Sequence, residues 1–143
     1  MYVGDFMKQL TRSELREKIM TILYQINVYS DNKIEYYVED IIREVNPIDN
    51  EFVKDVVYGV ITNKEELDNI ANEYLNKWTI DRLGNTDQSI IRMAIYELIY
   101  TKTPGIVVIN EAVELAKSFS DDDVKNMING ILDKIYKDKV DHE

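Results

Sequence analysis

The stretch Thr86-Asp87-Gln88-Ser89-Ile90-Ile91-Arg92-Met93-Ala94-Ile95-Tyr96-Glu97-Leu98 decides the fold class. Ile90, Ile91, Ala94, Ile95 and Leu98 recur at three- and four-residue spacing, which places them on one face of a helix; a strand would alternate every second residue. Gly84 and Asn85 interrupt the preceding pattern, Thr86 is placed to cap the new helix, and Pro104 with Gly105 closes it.

The same spacing extends in both directions. Thr11 with Glu14 has the form of a capping box, opening a first helix whose inward stripe is Leu15, Ile19, Ile22, Leu23 and Ile26. Ile34, Val38, Ile41, Ile42 and Val45 make a second helix that stops near Asn46, because Pro47 disfavours helical geometry in the residue before it. Phe52, Val53, Val56, Val57 and Val60 make a third. Thr62 with Glu65 predicts a second capping box, opening a helix through Leu67, Ile70, Ala71, Tyr74, Leu75 and Trp78. After Gly84, the helix carrying Ile90 to Leu98 is followed by one lined by Ile109, Ala112, Val113, Ala116 and Phe119. The last starts at Ser120 and Asp121 to Asp123, with Val124, Met127, Ile128, Ile131, Leu132 and Ile135 inward. Gly130, inside that helix, predicts close packing against a neighbour. About seven helices result, an all-α fold in one domain of two packed halves, 11–78 and 79–137, with frayed ends at 1–6 and 138–143.

Charge and composition narrow the function. With 27 acidic against 17 basic residues the net charge is −10, which repels polyanions at long range and confines any nucleic-acid binding to a local basic patch or a partner's help. No cysteine is present, so disulfides, thiolate nucleophiles and cysteine-held zinc are excluded, and the single histidine is His142. No stretch approaches the roughly 20 apolar residues that span a bilayer, and residues 1–9 lack a signal-length apolar run, so a cytoplasmic protein is expected, with Met7 an alternative start.

Nothing in the chain has the form of a phosphate-binding glycine loop, a nucleophile elbow or a metal-spaced histidine pair, and the reading is not an enzyme, with no cofactor and no metal. Asp121 to Asp123 lack the alternation and glycine of a calcium loop; their negative charge suits a helix N-terminus. Lys8, Arg12, Arg16 and Lys18 make the start of the first helix basic, with Arg12 and Arg16 on one face at i, i+4 and Tyr24 farther along. Two readings stay open there, a phosphate-binding face and an ordinary solvated one diluted by Glu14 and Glu17.

Several segments, in order, carry a family resemblance. Val107-Val108-Ile109-Asn110-Glu111-Ala112-Val113-Glu114-Leu115-Ala116-Lys117-Ser118-Phe119 and Asn129-Gly130-Ile131-Leu132-Asp133 are the most specific. Ile91-Arg92 with Tyr96-Glu97-Leu98, Trp78 with Arg82, Gly59-Val60 before Leu67-Asp68, and Leu23-Tyr24 agree. Over about Thr11 to Lys134 the chain resembles the NusB family of transcription antitermination factors. That resemblance implies an all-helical fold in two packed halves. It also implies binding of the boxA element of ribosomal or phage RNA together with NusE, a small-subunit ribosomal protein, within an RNA polymerase antitermination complex.

Position by position, the resemblance implies an RNA face of Arg12, Arg16, Tyr24 and Asp123. The arginines would neutralise phosphate, Tyr24 would stack or donate, and Asp123 would accept from a base. It implies a protein-partner contact around Asp81 and Asp87, where acidic residues suit a basic ribosomal protein. The chain departs from the family where Ser13 and Glu14 interrupt a denser arginine run, and where Met127 replaces an aromatic residue. Both departures favour partner-assisted RNA binding. The alternatives are a NusB-type module that contacts protein only, and a homodimer that hides the basic helix.

Overall fold

The computed structural model describes residues 9–141. Among them, seven α-helices and no strand are present: α1 (Arg12–Asp31), α2 (Val38–Val45), α3 (Glu51–Thr62), α4 (Lys64–Tyr74), α5 (Asn85–Tyr100), α6 (Gly105–Phe119) and α7 (Asp122–Ile135). A 3-10 turn, Ile80–Arg82, precedes α5, and a π turn, Tyr136–Val140, follows α7. Lys8, the proposed start Met7, His142 and the terminal segment 1–6 lie outside the described residues.

Several boundaries follow from local chemistry, as the sequence predicts. The Thr11 hydroxyl accepts from the Glu14 amide at 3.1 Å while the Glu14 carboxylate accepts from the Thr11 amide at 2.9 Å, a complete capping box. Asn46 ends α2 before Pro47. Asp121 caps α7 by accepting from the Val124 amide at 2.9 Å, with Asp122 and Asp123 in the first turn against the positive end of the helix dipole.

Other boundaries move, each for a visible reason. Ile34 does not begin α2; it is half-exposed and closes α1, its amide bonding to the Tyr29 carbonyl while the Lys33 amide bonds to Ser30. This is a Schellman closure with Lys33, at φ 57°, where glycine is usual. Thr62 forms no box with Glu65, because α3 continues through Thr62 and Asn63 both ends α3 and starts α4, its side-chain amide donating back to the Gly59 carbonyl. α4 ends at Tyr74, so Trp78 leaves the core and is 53 % exposed; Leu75 and Ile80 take the interior places, with the Ile80 amide held by Asn72. Thr86 does not cap α5, which starts two residues earlier than that cap would place it, with Gly84 at the N-cap. Phe119, at the end of α6, is exposed.

The central element is α5. Every residue from Gln88 to Leu98 is buried, and the helix packs on α1, α3 and α4 before it and on α6 and α7 after it. Apolar burial on all sides suits a core helix, yet α5 carries Arg92 and Glu97. Arg92 reaches Asp68 of α4 with two hydrogen bonds, 2.7 and 3.1 Å, and Asn27 of α1 at 3.3 Å. Glu97 receives two from Arg16 of α1, both 2.8 Å. These fork-to-carboxylate pairs satisfy charges that would otherwise cost several kcal/mol each to bury.

Glycine matters at two crossings. A Cβ at Gly59 of α3 would overlap the Tyr96 ring, and one at Gly105 would overlap the Tyr136 ring, so both let helices approach closely. Gly130, predicted to do this, does not: a Cβ there meets nothing within 4 Å. The last described segment is tied back to α4, where the Tyr74 hydroxyl donates to Asp138 and Lys139 pairs with Glu73.

Two stability outcomes follow. Gly130→Ala and Lys33→Gly should each raise urea-unfolding stability by about 1 kcal/mol, one by removing a glycine from an open helix interior and the other by relieving a left-handed backbone. A loss in either would mean an unseen packing demand at that position. Glu97→Ala should destabilise by about 3 kcal/mol because Arg16 is left buried without its main partner; a cost under about 1 kcal/mol would show that the pair contributes little to folding.

Candidate nucleic-acid and partner interfaces

The first helix separates the predicted RNA residues by its own geometry. Leu15, Arg16, Ile19, Leu23 and Ile26 face the interior, so Arg16 lies on the buried stripe. Its side chain is 4 % exposed, bonded twice to Glu97 and 3.5 Å from Glu111, which in turn accepts from the Ser13 hydroxyl at 2.5 Å. Burial works to lower the Arg16 pKa, but the hydrogen bond and charge of Glu97 outweigh it and hold the guanidinium above its ordinary value. Arg16 is therefore committed to the fold. The expectation that it neutralises phosphate at the surface is corrected, since its guanidinium is buried and paired with Glu97.

Lys18 is half-buried and also bonded within the fold. Its ammonium donates to the Val45 carbonyl at 3.0 Å, capping the negative end of α2. Of the predicted basic cluster within the described residues, Arg12 stays at the surface. It is the first residue of α1, exposed, with its guanidinium carbon 4.0 Å from the centre of the Phe52 ring, and it makes no hydrogen bond or ion pair among the described residues. Arg12 and Phe52 together divide two open grooves. One, of about 350 Å³, runs along Leu10, Asn46 and Ile48; the other, of about 440 Å³, is bordered by Thr101, Lys102, Thr103 and Glu111.

Tyr24 is 42 % exposed, consistent with an available ring, but it does not adjoin Arg12. Twelve residues separate them, which is about 18 Å along the axis and about 120° around it. Asp123 is exposed in the first turn of α7. Whatever RNA face these residues share is therefore broad rather than a single pocket.

The two acidic partner positions differ in kind. Asp81, in the 3-10 turn, is exposed and accepts from the Thr79 hydroxyl; that bond, with Arg82 and Arg92 nearby, holds its carboxyl below the usual range. Asp87 is half-buried in the first turn of α5 and accepts from the Ser120 hydroxyl, joining the start of α5 to the end of α6. Asp81 is thus available at the surface and Asp87 is partly structural.

Two features escaped the sequence reading. Phe52 was assigned to the core stripe of α3, yet it is partly buried and offers its ring to Arg12; no sequence signal separates an aromatic that fills a core from one that holds a cation. Trp78 lines a shallow groove of about 380 Å³ with Lys77, Met127, Gly130 and Lys134, so an exposed aromatic ring lies beside Met127. Among the described residues no cluster of histidine, aspartate and glutamate could hold a metal ion, and no helix is long and apolar enough to cross a membrane.

Comparison with known proteins gives one answer over nearly the whole chain. The NusB family profile matches residues 13–137. The transcription antitermination protein NusB of Macrococcus caseolyticus is 40 % identical over 132 residues, 91 % of this chain and 99 % of that protein. Among solved structures, T. maritima NusB superposes with a TM-score of 0.79 at 30 % identity, covering 91 % of this chain and 93 % of that one. A chain from the crystal structure of antitermination factors NusB and NusE in complex with dsRNA gives 0.74 at 29 % identity, covering 88 % and 96 %. With the helical order, the buried central helix and the sequence segments all in agreement, this chain belongs to the NusB family.

Proposed function

We propose that this chain is a transcription antitermination factor that takes boxA RNA jointly with NusE, so that RNA polymerase in ribosomal RNA operons reads through terminators. The observation that carries this reading is the family match across residues 13–137, joined to the likeness to a NusB chain solved with NusE and RNA. The role is regulatory rather than enzymatic, in the cytoplasm, and the two helical halves work as one unit through α5.

Physical chemistry supports the partner-assisted form. At net charge −10 the protein repels RNA at a distance, Arg16 is buried and the half-buried Lys18 is bonded to the Val45 carbonyl, so few of its own cations remain at this end of α1 to offset that repulsion. A basic ribosomal protein bound near Asp81 would supply positive charge and be steered there by the acidic surface. Arg12 then contributes a phosphate contact, Tyr24 a stacking or hydrogen-bonding surface, and Asp123 an acceptor for a base amino group. Arg16 serves by holding α1 in register rather than by touching RNA.

The test is binding of a labelled boxA-type RNA over a salt series, with and without NusE. Binding should tighten at least tenfold when NusE is present; equal affinity without it would refute the partner-assisted form, and no binding in either case would leave a protein-contact module instead. Arg12→Ala should weaken the ternary complex and flatten the log-log salt dependence by about 0.7, one phosphate contact on a single strand. Asp81→Lys should weaken capture of NusE with helicity unchanged, as read by circular dichroism; undiminished capture would move the partner surface elsewhere.

A further inference from the structure

Phe52 sits in the first turn of α3, where the Asn50 side chain accepts from the Val53 amide at 3.0 Å and fixes the direction in which the ring leaves the helix. Two guanidinium groups lie over that ring, Arg12 at 4.0 Å and Arg16 at 5.2 Å from its centre. Arg16 cannot shift, because Glu97 holds it twice and Glu111 faces it at 3.5 Å. The ring thus lies between a guanidinium fixed by carboxylates and one at the surface.

Three carboxylates that border the grooves beside Arg12 are engaged with other side chains. Asp49 pairs with Lys54 at 2.5 Å, Asp55 accepts from the Tyr96 hydroxyl at 3.0 Å, and Glu111 is shared by Ser13 and Arg16. A guanidinium resting on an aromatic ring still has its N–H donors in its own plane, which is the plane in which it grips a phosphate with two parallel bonds. Holding the long side chain in one place also reduces the entropy lost when that grip forms.

We propose that Phe52 is a positioning residue for Arg12, holding its guanidinium so that the donor edge is presented to an RNA phosphate at the rim of the two grooves. The proposal rests on the reading of this chain as an RNA-binding antitermination factor. Phe52 does not touch RNA itself; its effect passes through Arg12.

The experiment is a double-mutant cycle on the full chain with NusE and a labelled boxA-type RNA. Phe52→Leu should weaken binding about threefold, the range expected of a cation–aromatic contact at an exposed site. Its salt slope should stay that of the unmodified protein, because Arg12 still reaches phosphate. Phe52→Tyr should keep full affinity, and in an Arg12→Ala background Phe52→Leu should cost nothing further. Phe52→Met serves the same purpose if the leucine variant loses helicity. An equal loss in the Arg12→Ala background, or a tyrosine variant as weak as the leucine one with helicity intact, would overturn the proposal. If Arg12→Ala alone changes neither affinity nor slope, it is the placement of Arg12 on RNA that fails, and the role of Phe52 with it.

Discussion

A helix buried along its length that nonetheless carries two charges is the constraint on which the rest of this structure depends. Arg92 and Glu97 of α5 can sit in the interior only because Asp68 and Arg16 come to meet them from α4 and α1. Such pairs add little net stability over apolar packing, but they are unforgiving of misplacement, since a half-made pair leaves a bare buried charge. They therefore select one rotation of α1 and one position of α4 against α5.

That selection propagates outward. With Arg16 turned in toward Glu97, Leu15, Ile19 and Leu23 fall on the buried side and Ser13, Glu17 and Tyr24 on the outer one. Arg12, one turn before Arg16, lands at the mouth of the α1–α3 crossing over Phe52. Gly59 of the same α3 leaves room for Tyr96, so that α3 lies close against α5. The proposed RNA-contacting edge is thus placed by the packing around α5.

The electrostatics follow the same logic. A chain of charge −10 can offer a cation to phosphate only where the surrounding carboxylates are already engaged. Beside Arg12, Asp49, Asp55 and Glu111 are engaged, by Lys54, Tyr96, Ser13 and Arg16, while Glu51 borders the same groove. At the opposite function, Asp81 stays exposed and ionised through the Thr79 hydroxyl, suited to a basic partner, whereas Asp87 is drawn into holding α5 to α6.

What the sequence determined by itself is what depends on near neighbours: the helical period, the Thr11 capping box, the stop before Pro47, the acidic first turn of the last helix, and the ordered segments that carry the family. These are interactions within about one helical turn, and their residues are adjacent on the page. What only the tertiary structure decided is the fate of side chains whose partners are far along the chain. Arg16 and Glu97 stand 81 residues apart, and an arginine on an amphipathic helix reads the same whether solvent or a carboxylate awaits it. Lys18 capping α2, Trp78 left outside, Gly130 in open space and Phe52 beneath Arg12 are of the same kind. Each was set by which helix came to lie against which, and that arrangement is fixed by burial and pairing across the whole molecule rather than by any local pattern.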